Sequence, residues 1–192
     1  VVYYENTALK WDRIVSSYVE ELDQHPEYLD RVISSWIYHG KFDPEAAIAR
    51  YLGLPMSRVC SLEHHQSHAA SAYFCSPFSR AAVVTMDGVG EYETATISHA
   101  DPDGLTKLTS QSFPHSLGLL YSAVTAFLGF EVNEGEYKVM GMAGFGQPNY
   151  QDAFSSLLHL KPGGEFEIDP SYFEFNCPER LPFNERLCAL LG

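Results

Sequence analysis

One stretch of the chain, residues 63–91, constrains the fold and the chemistry more than any other. It reads EHHQSHAASAYFCSPFSRAAVVTMDGVGE. His64 and His68 are four residues apart, so on a helix both imidazoles project from one face, one turn apart. An apolar run typical of a buried strand then ends at Asp87, and glycines follow, where a polar ligand can approach the backbone. The histidines, the carboxylate and the glycine turn are therefore predicted to form parts of one site.

Bulk properties narrow the class of protein. The 192 residues, 45% of them apolar, suit one compact domain or one lobe of a larger one. A formal charge of −13 argues against a nucleic-acid surface, and no apolar run approaches the roughly 18 residues of a membrane helix. No signal peptide is visible. The four cysteines form no CxxC pair, so a reduced, cytoplasmic protein is predicted, with Cys60 and Cys75 as buried thiols.

The order of predicted elements indicates an α/β fold. A helical opening precedes three consecutive strands, and a helix with Ser116 as a possible N-cap follows them. Three strands as a meander and then a helix is how a lobe of the actin-like ATPase fold begins, with the first turn facing nucleotide phosphates. The predicted helices are 8–22, 26–38, 44–52, 116–128, 150–160 and 184–191, and the predicted strands are 58–62, 82–87, 93–98, 105–112 and 165–168.

Each chemical signal also has an ordinary explanation. His64 and His68 are a common helix pair, and Asp87 at the end of the next strand is what favours a metal site. A short Asp-Gly turn most often closes a hairpin, and Lys138 alone is typical of a solvated helix.

The nucleotide prediction rests on the glycines of two segments. The amides of Gly88, Val89 and Gly90 are predicted to meet phosphates, with Glu91 in the same turn. The segment around Lys138 is rich in glycine, which indicates a loop that needs backbone access. Lys138, Gly141 and Gly144 are therefore predicted to line the adenosine side. His65 points away from the histidine pair on a helix and is predicted to support the ligands or face a substrate.

Four blocks of sequence resemble consecutive blocks of the O-carbamoyltransferases, the family of nodulation-factor, cephamycin, novobiocin and tobramycin carbamoylating enzymes. The blocks cover about 63–148 and read EHHQSHAASAYFCSPF, VVTMDGVGEYETATI, FPHSLGLLYSAVTAFLGF and GEYKVMGMAGFGQP. Their order and spacing make the resemblance specific. It implies an actin-like ATPase (ribonuclease H-like) fold, incomplete in this chain, with a helical opening followed by the three-strand meander and helices.

The resemblance also implies a reaction and its cofactors. In the family, carbamoyl phosphate and ATP give a carbamoyl-adenylate, from which the carbamoyl group passes to an acceptor hydroxyl. An iron-type divalent ion, with Mn²⁺ or Zn²⁺ as alternatives, is implied at His64, His68 and Asp87. His65, beside these ligands, is a candidate general base for the acceptor hydroxyl.

Members of the family extend beyond the matched blocks, with an opening phosphate loop, a distal acidic glycine motif and a C-terminal domain that makes the adenylate. Residues 1–192 are therefore predicted to be the central part of the family's N-terminal domain. Residues 1–80 are predicted to end the first lobe and 81–192 to start the second. The fragment alone is expected to be inactive.

The predicted partners are a small-molecule acceptor, carbamoyl phosphate and the same protein's C-terminal domain, with no nucleic acid and no membrane. Two alternatives remain at this stage. One is an enzyme of the tRNA threonylcarbamoyl-adenosine type. The other is a non-catalytic module of actin-like fold that binds metal and nucleotide.

Overall fold

The structure, a computed structural model, describes residues 1–19, 26–176 and 180–192. Contacts divide the chain into two compact units. The first comprises Val1–Thr85 and Gly90–Ser110, and the second comprises Met86–Val89 and Gln111–Gly192. Both helices and small sheets are present, so the predicted α/β class is confirmed. The lobe boundary at residue 80 concerns the fold of the whole family and stays a prediction.

The first unit opens with three helices, α1 (Thr7–Val19), α2 (Pro26–Tyr38) and α3 (Pro44–Leu52). The predictions for 26–38 and 44–52 are confirmed, whereas the end of the helix predicted over 8–22 lies outside the described residues. Local sequence sets the limits of α3. Asp43 accepts a hydrogen bond from the Ala46 amide at 2.9 Å, and Gly53 closes the helix at φ 65° in the left-handed region.

Two short strands lead to the histidine helix. Strand β1 (Val2–Tyr3) pairs in parallel with β2 (Cys60–Ser61), and α4 (His64–Phe74) follows at once. The strand predicted over 58–62 is thus only two residues long, and β1 is too short for any periodic pattern to have revealed it. Cys60 and Cys75 are exposed, so the prediction that they are buried thiols was wrong.

The three-stranded sheet contains β3 (Ala81–Met86), β4 (Glu93–Asp101) and β5 (Gly104–Ser112), side by side in chain order. The connections are too short for a parallel crossover, so the predicted meander is confirmed. Helix α4 packs on this sheet, with Ala69 and Tyr73 buried against Val83 and Ala100. This packing fixes the face of α4 that carries the histidines.

The second unit is mainly helical. It contains α5 (Leu117–Phe127), α6 (Glu136–Ala143), α7 (Gln151–Leu157), β6 (Leu158–Leu160), β7 (Phe166–Ile168) and α8 (Glu185–Leu191). The helix predicted over 150–160 ends at Leu157, because residues 158–160 pair antiparallel with β7. Within the described ranges, no helix combines the length and the apolar character needed to cross a membrane.

Candidate functional site

The two histidines of the predicted metal site lie on the first two turns of α4. Their Nε2 atoms are 3.0 Å apart, and the rings meet edge to face with centroids 4.5 Å apart. When two nitrogens bind the same ion at about 2.1 Å, with an N–metal–N angle of about 90°, they also lie about 3 Å apart. The pair therefore fits chelation of a single ion. The same distance also suits a hydrogen bond between the two rings.

His65 has a structural position instead. It is 1% exposed, with Nδ1 2.7 Å from the Thr85 hydroxyl and Nε2 2.9 Å from the Glu93 carbonyl. A carbonyl can only accept, so Nε2 carries the proton and Nδ1 accepts from Thr85. The ring joins α4 to β3 and β4, and the role of general base predicted for it has no support in this geometry.

Gly90 and Glu91, predicted to face a nucleotide, face α4 in the first unit. The Glu91 side chain is buried, and both of its carboxylate oxygens lie 3.1 Å from the His64 amide. The Gly90 amide donates to the Glu93 carbonyl at 2.9 Å. A Cβ at Gly90 would lie 2.9 Å from the Cβ of His64. These two residues therefore support the histidine helix.

Asp87, Gly88 and Val89 belong to the second unit and pack on the start of α5. The Gly88 amide donates to Asp87 Oδ1 at 2.7 Å. Ser116 is fully buried, and its hydroxyl lies 3.0 Å from the Asp87 carbonyl and also contacts the Gly88 carbonyl. The position of Asp87 as a third metal ligand stays a prediction.

A pocket of about 650 Å³ in the second unit is lined by Asp87, Gly88 and Val89, by the first turns of α5 and by Glu136. Ser116 caps α5 through the Leu119 amide, at 3.0 Å, so the positive end of the helix dipole lies at this turn. The lining of the pocket thus combines the amino end of a helix with the carboxylates of Asp87 and Glu136.

Lys138, Gly141 and Gly144 are not brought to this pocket. All three are exposed, on α6 or just after it, and none lines the cavity that contains Gly88 and Val89. The Lys138 ammonium lies 5.5 Å from the centroid of the Phe130 ring. The prediction that these residues line an adenosine site therefore gains nothing from their placement.

Sequence reasoning missed two residues that shape the pocket. A Cβ at Gly118 would lie 2.5 Å from the backbone of Asp87 and Gly88, so only glycine allows this close approach. Glu136 accepts from the Asn133 amide at 2.9 Å and from the Ser122 hydroxyl at 3.1 Å. The Asn133 bond is the main cause that lowers the pKa of Glu136. A glycine two residues after a helix cap was the available signal for Gly118.

Comparison with known proteins identifies the class. A family model described as the carbamoyltransferase N-terminus matches residues 1–180, so the chain belongs to that family. The resemblance found in the four sequence blocks is confirmed.

Individual proteins are similar to parts of the chain. The chain is 40% identical over 182 residues to the uncharacterized protein sll1178 of Synechocystis, covering 91% of this chain and 30% of that protein. It is 34% identical over 113 residues to nodulation protein NolNO of Sinorhizobium fredii, covering 58% of this chain and 16% of that protein. It is 32% identical over 108 residues to nodulation protein NolO of Bradyrhizobium diazoefficiens, covering 56% of this chain and 20% of that protein. The chain thus spans less than a third of the length of each of these relatives.

Proposed function

We propose that this chain is part of an ATP- and carbamoyl-phosphate-dependent O-carbamoyltransferase that passes a carbamoyl group, through a carbamoyl-adenylate, to an acceptor hydroxyl. The observation that carries the proposal is the match of the carbamoyltransferase N-terminal family over residues 1–180. An actin-like arrangement of the whole protein is part of the proposal, since the meander followed by α5 is how a lobe of that fold begins.

The proposed metal centre consists of His64, His68 and Asp87. The 3.0 Å separation of the two Nε2 atoms supports it, and two imidazoles with one carboxylate suit Fe²⁺, Mn²⁺ or Zn²⁺. A divalent ion held there would polarise a carbonyl or orient a phosphate, which a carbamoyl group needs because its nitrogen donates into the carbonyl. The chain's own contribution is to hold both imidazoles on one helix face, with their Nε2 atoms close together.

The proposed phosphate site is the turn at Gly88 and Val89 together with the start of α5. The helix dipole, the close packing of Gly118 and the pocket of about 650 Å³ support it. The carboxylates of Asp87 and Glu136 line the same pocket, and each would repel an anion directly beside it.

The test uses the full-length protein with carbamoyl phosphate, ATP and a panel of polyols, and the products are analysed by mass spectrometry. Metal content is measured in parallel for the wild type, His64→Ala, His68→Ala and the control His99→Ala. His99 lies on β4, and its Nδ1 is 3.7 Å from Asp101 Oδ2, so its removal should leave bound metal unchanged.

We expect a carbamoylated product from the wild type and a loss of at least about tenfold in metal affinity in the α4 variants. If both α4 variants retain a full equivalent of metal, His64 and His68 are ordinary helix residues and the metal proposal is wrong. If metal and ATP bind but no acceptor is modified, the non-catalytic module is the better description.

A further inference from the structure

We propose that Glu91 is the positioning residue that sets the geometry of the His64–His68 pair, by anchoring the first turn of α4 through its carboxylate. The inference rests on the metal site of the proposed function. It assigns Glu91 a role different from the nucleotide contact that its sequence motif indicates.

The start of α4 depends on a residue that is distant in sequence. The first amides of a helix have no partner within the helix, and a local side chain usually provides one. Within the described part of the chain, the side chain of the N-cap residue Glu63 accepts no hydrogen bond from the first amides of α4. Instead, both carboxylate oxygens of Glu91 lie 3.1 Å from the His64 amide, 27 residues away.

The same carboxylate anchors a second helix. Its Oε1 also accepts a hydrogen bond from the Asn6 amide, and Asn6 caps α1 through the Leu9 amide at 3.2 Å. The backbone carbonyl of Glu91 accepts from Arg13 Nε, on α1, at 2.7 Å. With 5% of Glu91 exposed, one buried charge lies at the positive ends of two helix dipoles. Such charge-assisted bonds, shielded from water, are strong.

Gly90 fixes the lateral position of the same turn. The Cβ that any other residue would add there lies 2.9 Å from His64 Cβ and 3.2 Å from the His65 ring. The backbone of the turn therefore contacts His64 directly. Glu91 holds the His64 amide and Gly90 limits the space beside its side chain, so the first residue of α4 has little freedom.

The consequence for the metal site follows from the position of His64. Without the carboxylate of Glu91, the first turn of α4 would fray, and His64 is the first residue of that turn. His68 is one turn further on, where the buried His65 ring ties the helix to the sheet. The separation of the two Nε2 atoms would then vary. Loss of a residue that orients a metal ligand typically costs about 10- to 100-fold in metal affinity.

The experiment is a Co²⁺ titration of the full-length protein, followed by visible absorption, for the wild type, Glu91→Gln and Glu93→Gln. Glu93→Gln is the matched control because it removes the same charge two residues away. The Glu93 carboxylate bonds to Lys107 at 2.7 Å, and it reaches the start of α4 only indirectly, through the 3.4 Å contact of Lys107 with Glu63. We expect Glu91→Gln to weaken Co²⁺ binding by about 10-fold or more and Glu93→Gln to bind like the wild type.

A second measurement separates positioning from general loss of stability. Leu187→Ala creates a cavity at a fully buried residue of α8, in the other unit, and should lower thermal stability without weakening Co²⁺ binding. Hydrogen exchange of the metal-free proteins should rise in Glu91→Gln at residues 64–68 and not in α5.

The outcomes are distinct. Wild-type Co²⁺ affinity in Glu91→Gln overturns the proposal, and so does an equal loss in Glu91→Gln and Leu187→Ala. If the wild type binds no Co²⁺, the metal site of the proposed function is wrong. Hydrogen exchange alone then tests whether Glu91 positions the pair. Faster exchange at residues 64–68 then still supports positioning of the pair by Glu91, whereas unchanged exchange overturns it.

Discussion

The five residues Asp87–Glu91 form one short motif, yet its two halves have different surroundings. Gly90 and Glu91 lie in the first unit, where they pack against α4 and hold the His64 amide. Asp87, Gly88 and Val89 lie in the second unit, where Ser116 and Gly118 contact the backbone of Asp87 and Gly88. These three residues also line a pocket. One half supports a pair of imidazoles, and the other half lines a cavity.

The difference shows that glycines in one motif can have unrelated functions. Gly90 is required because His64 occupies the space of a side chain, whereas a Cβ at Gly88 would lie at an ordinary 3.8 Å from Leu119. A motif that is rich in glycine therefore does not identify a phosphate loop along its whole length. The comparison can be tested by changing each half separately.

The largest effect is expected from Gly90→Ala. The added methyl group overlaps His64, and such overpacking costs about 1–3 kcal/mol. Displacement of His64 should therefore weaken metal binding by roughly tenfold or more, measured by Co²⁺ titration of the full-length protein. Gly88→Ala is the matched control and should bind Co²⁺ like the wild type. Equal Co²⁺ affinity in Gly90→Ala and Gly88→Ala would mean that Gly90 does not support the histidine pair more than Gly88 does.

Gly118→Ala tests the other half. Its Cβ would lie 2.5 Å from backbone atoms of Asp87 and Gly88, which cannot rotate away. We expect ATP affinity, measured by calorimetry, to fall by several-fold to roughly tenfold, since overpacking of about 1 kcal/mol or more must distort the turn. Gly141→Ala is the control, because nothing lies within 4 Å of its Cβ. A weaker affinity for ATP in Gly141→Ala alone would instead support the sequence prediction that Gly141 lines the adenosine.

The sequence was informative where a pattern is local. Helix α3 follows from Asp43-Pro44 and Gly53, the meander follows from its turn residues, and the i, i+4 spacing predicts that His64 and His68 share a face. Each of these depends on residues within a few positions of one another, so periodicity and capping preferences are sufficient.

The roles of Glu91 and His65 could not be read in the same way. Glu91 bonds to amides 27 and 85 residues away, and His65 bonds to two different strands. Such partners are set by tertiary packing, which a single sequence does not encode in any spacing. Strand β6 shows the same limit, because pairing with β7 ends a segment that has helical periodicity. The actin-like arrangement also depends on contacts of this kind and stays a proposal.

The smallest effect is expected at Glu136, on the edge of the pocket in the second unit. Its carboxylate accepts bonds from the Asn133 and Gly135 amides and from the Ser122 hydroxyl. The bond from Asn133, more than the others, lowers the pKa of Glu136 in the folded protein. Because the folded pKa lies below the unfolded value of about 4.3, the stabilisation is present above that pH and is lost as the pH falls through the folded pKa.

Solvent screens this partly exposed group, so its contribution to stability is modest, about 1 kcal/mol or less. Glu136→Gln should therefore lower the midpoint of thermal unfolding by at most roughly 2–4 °C at pH 7. The difference from the wild type should shrink as the pH is lowered below about 4, while the exposed Glu134→Gln control stays close to the wild type throughout. A gap between Glu136→Gln and the wild type that does not change with pH would show that the charge of Glu136 is not what stabilises this turn.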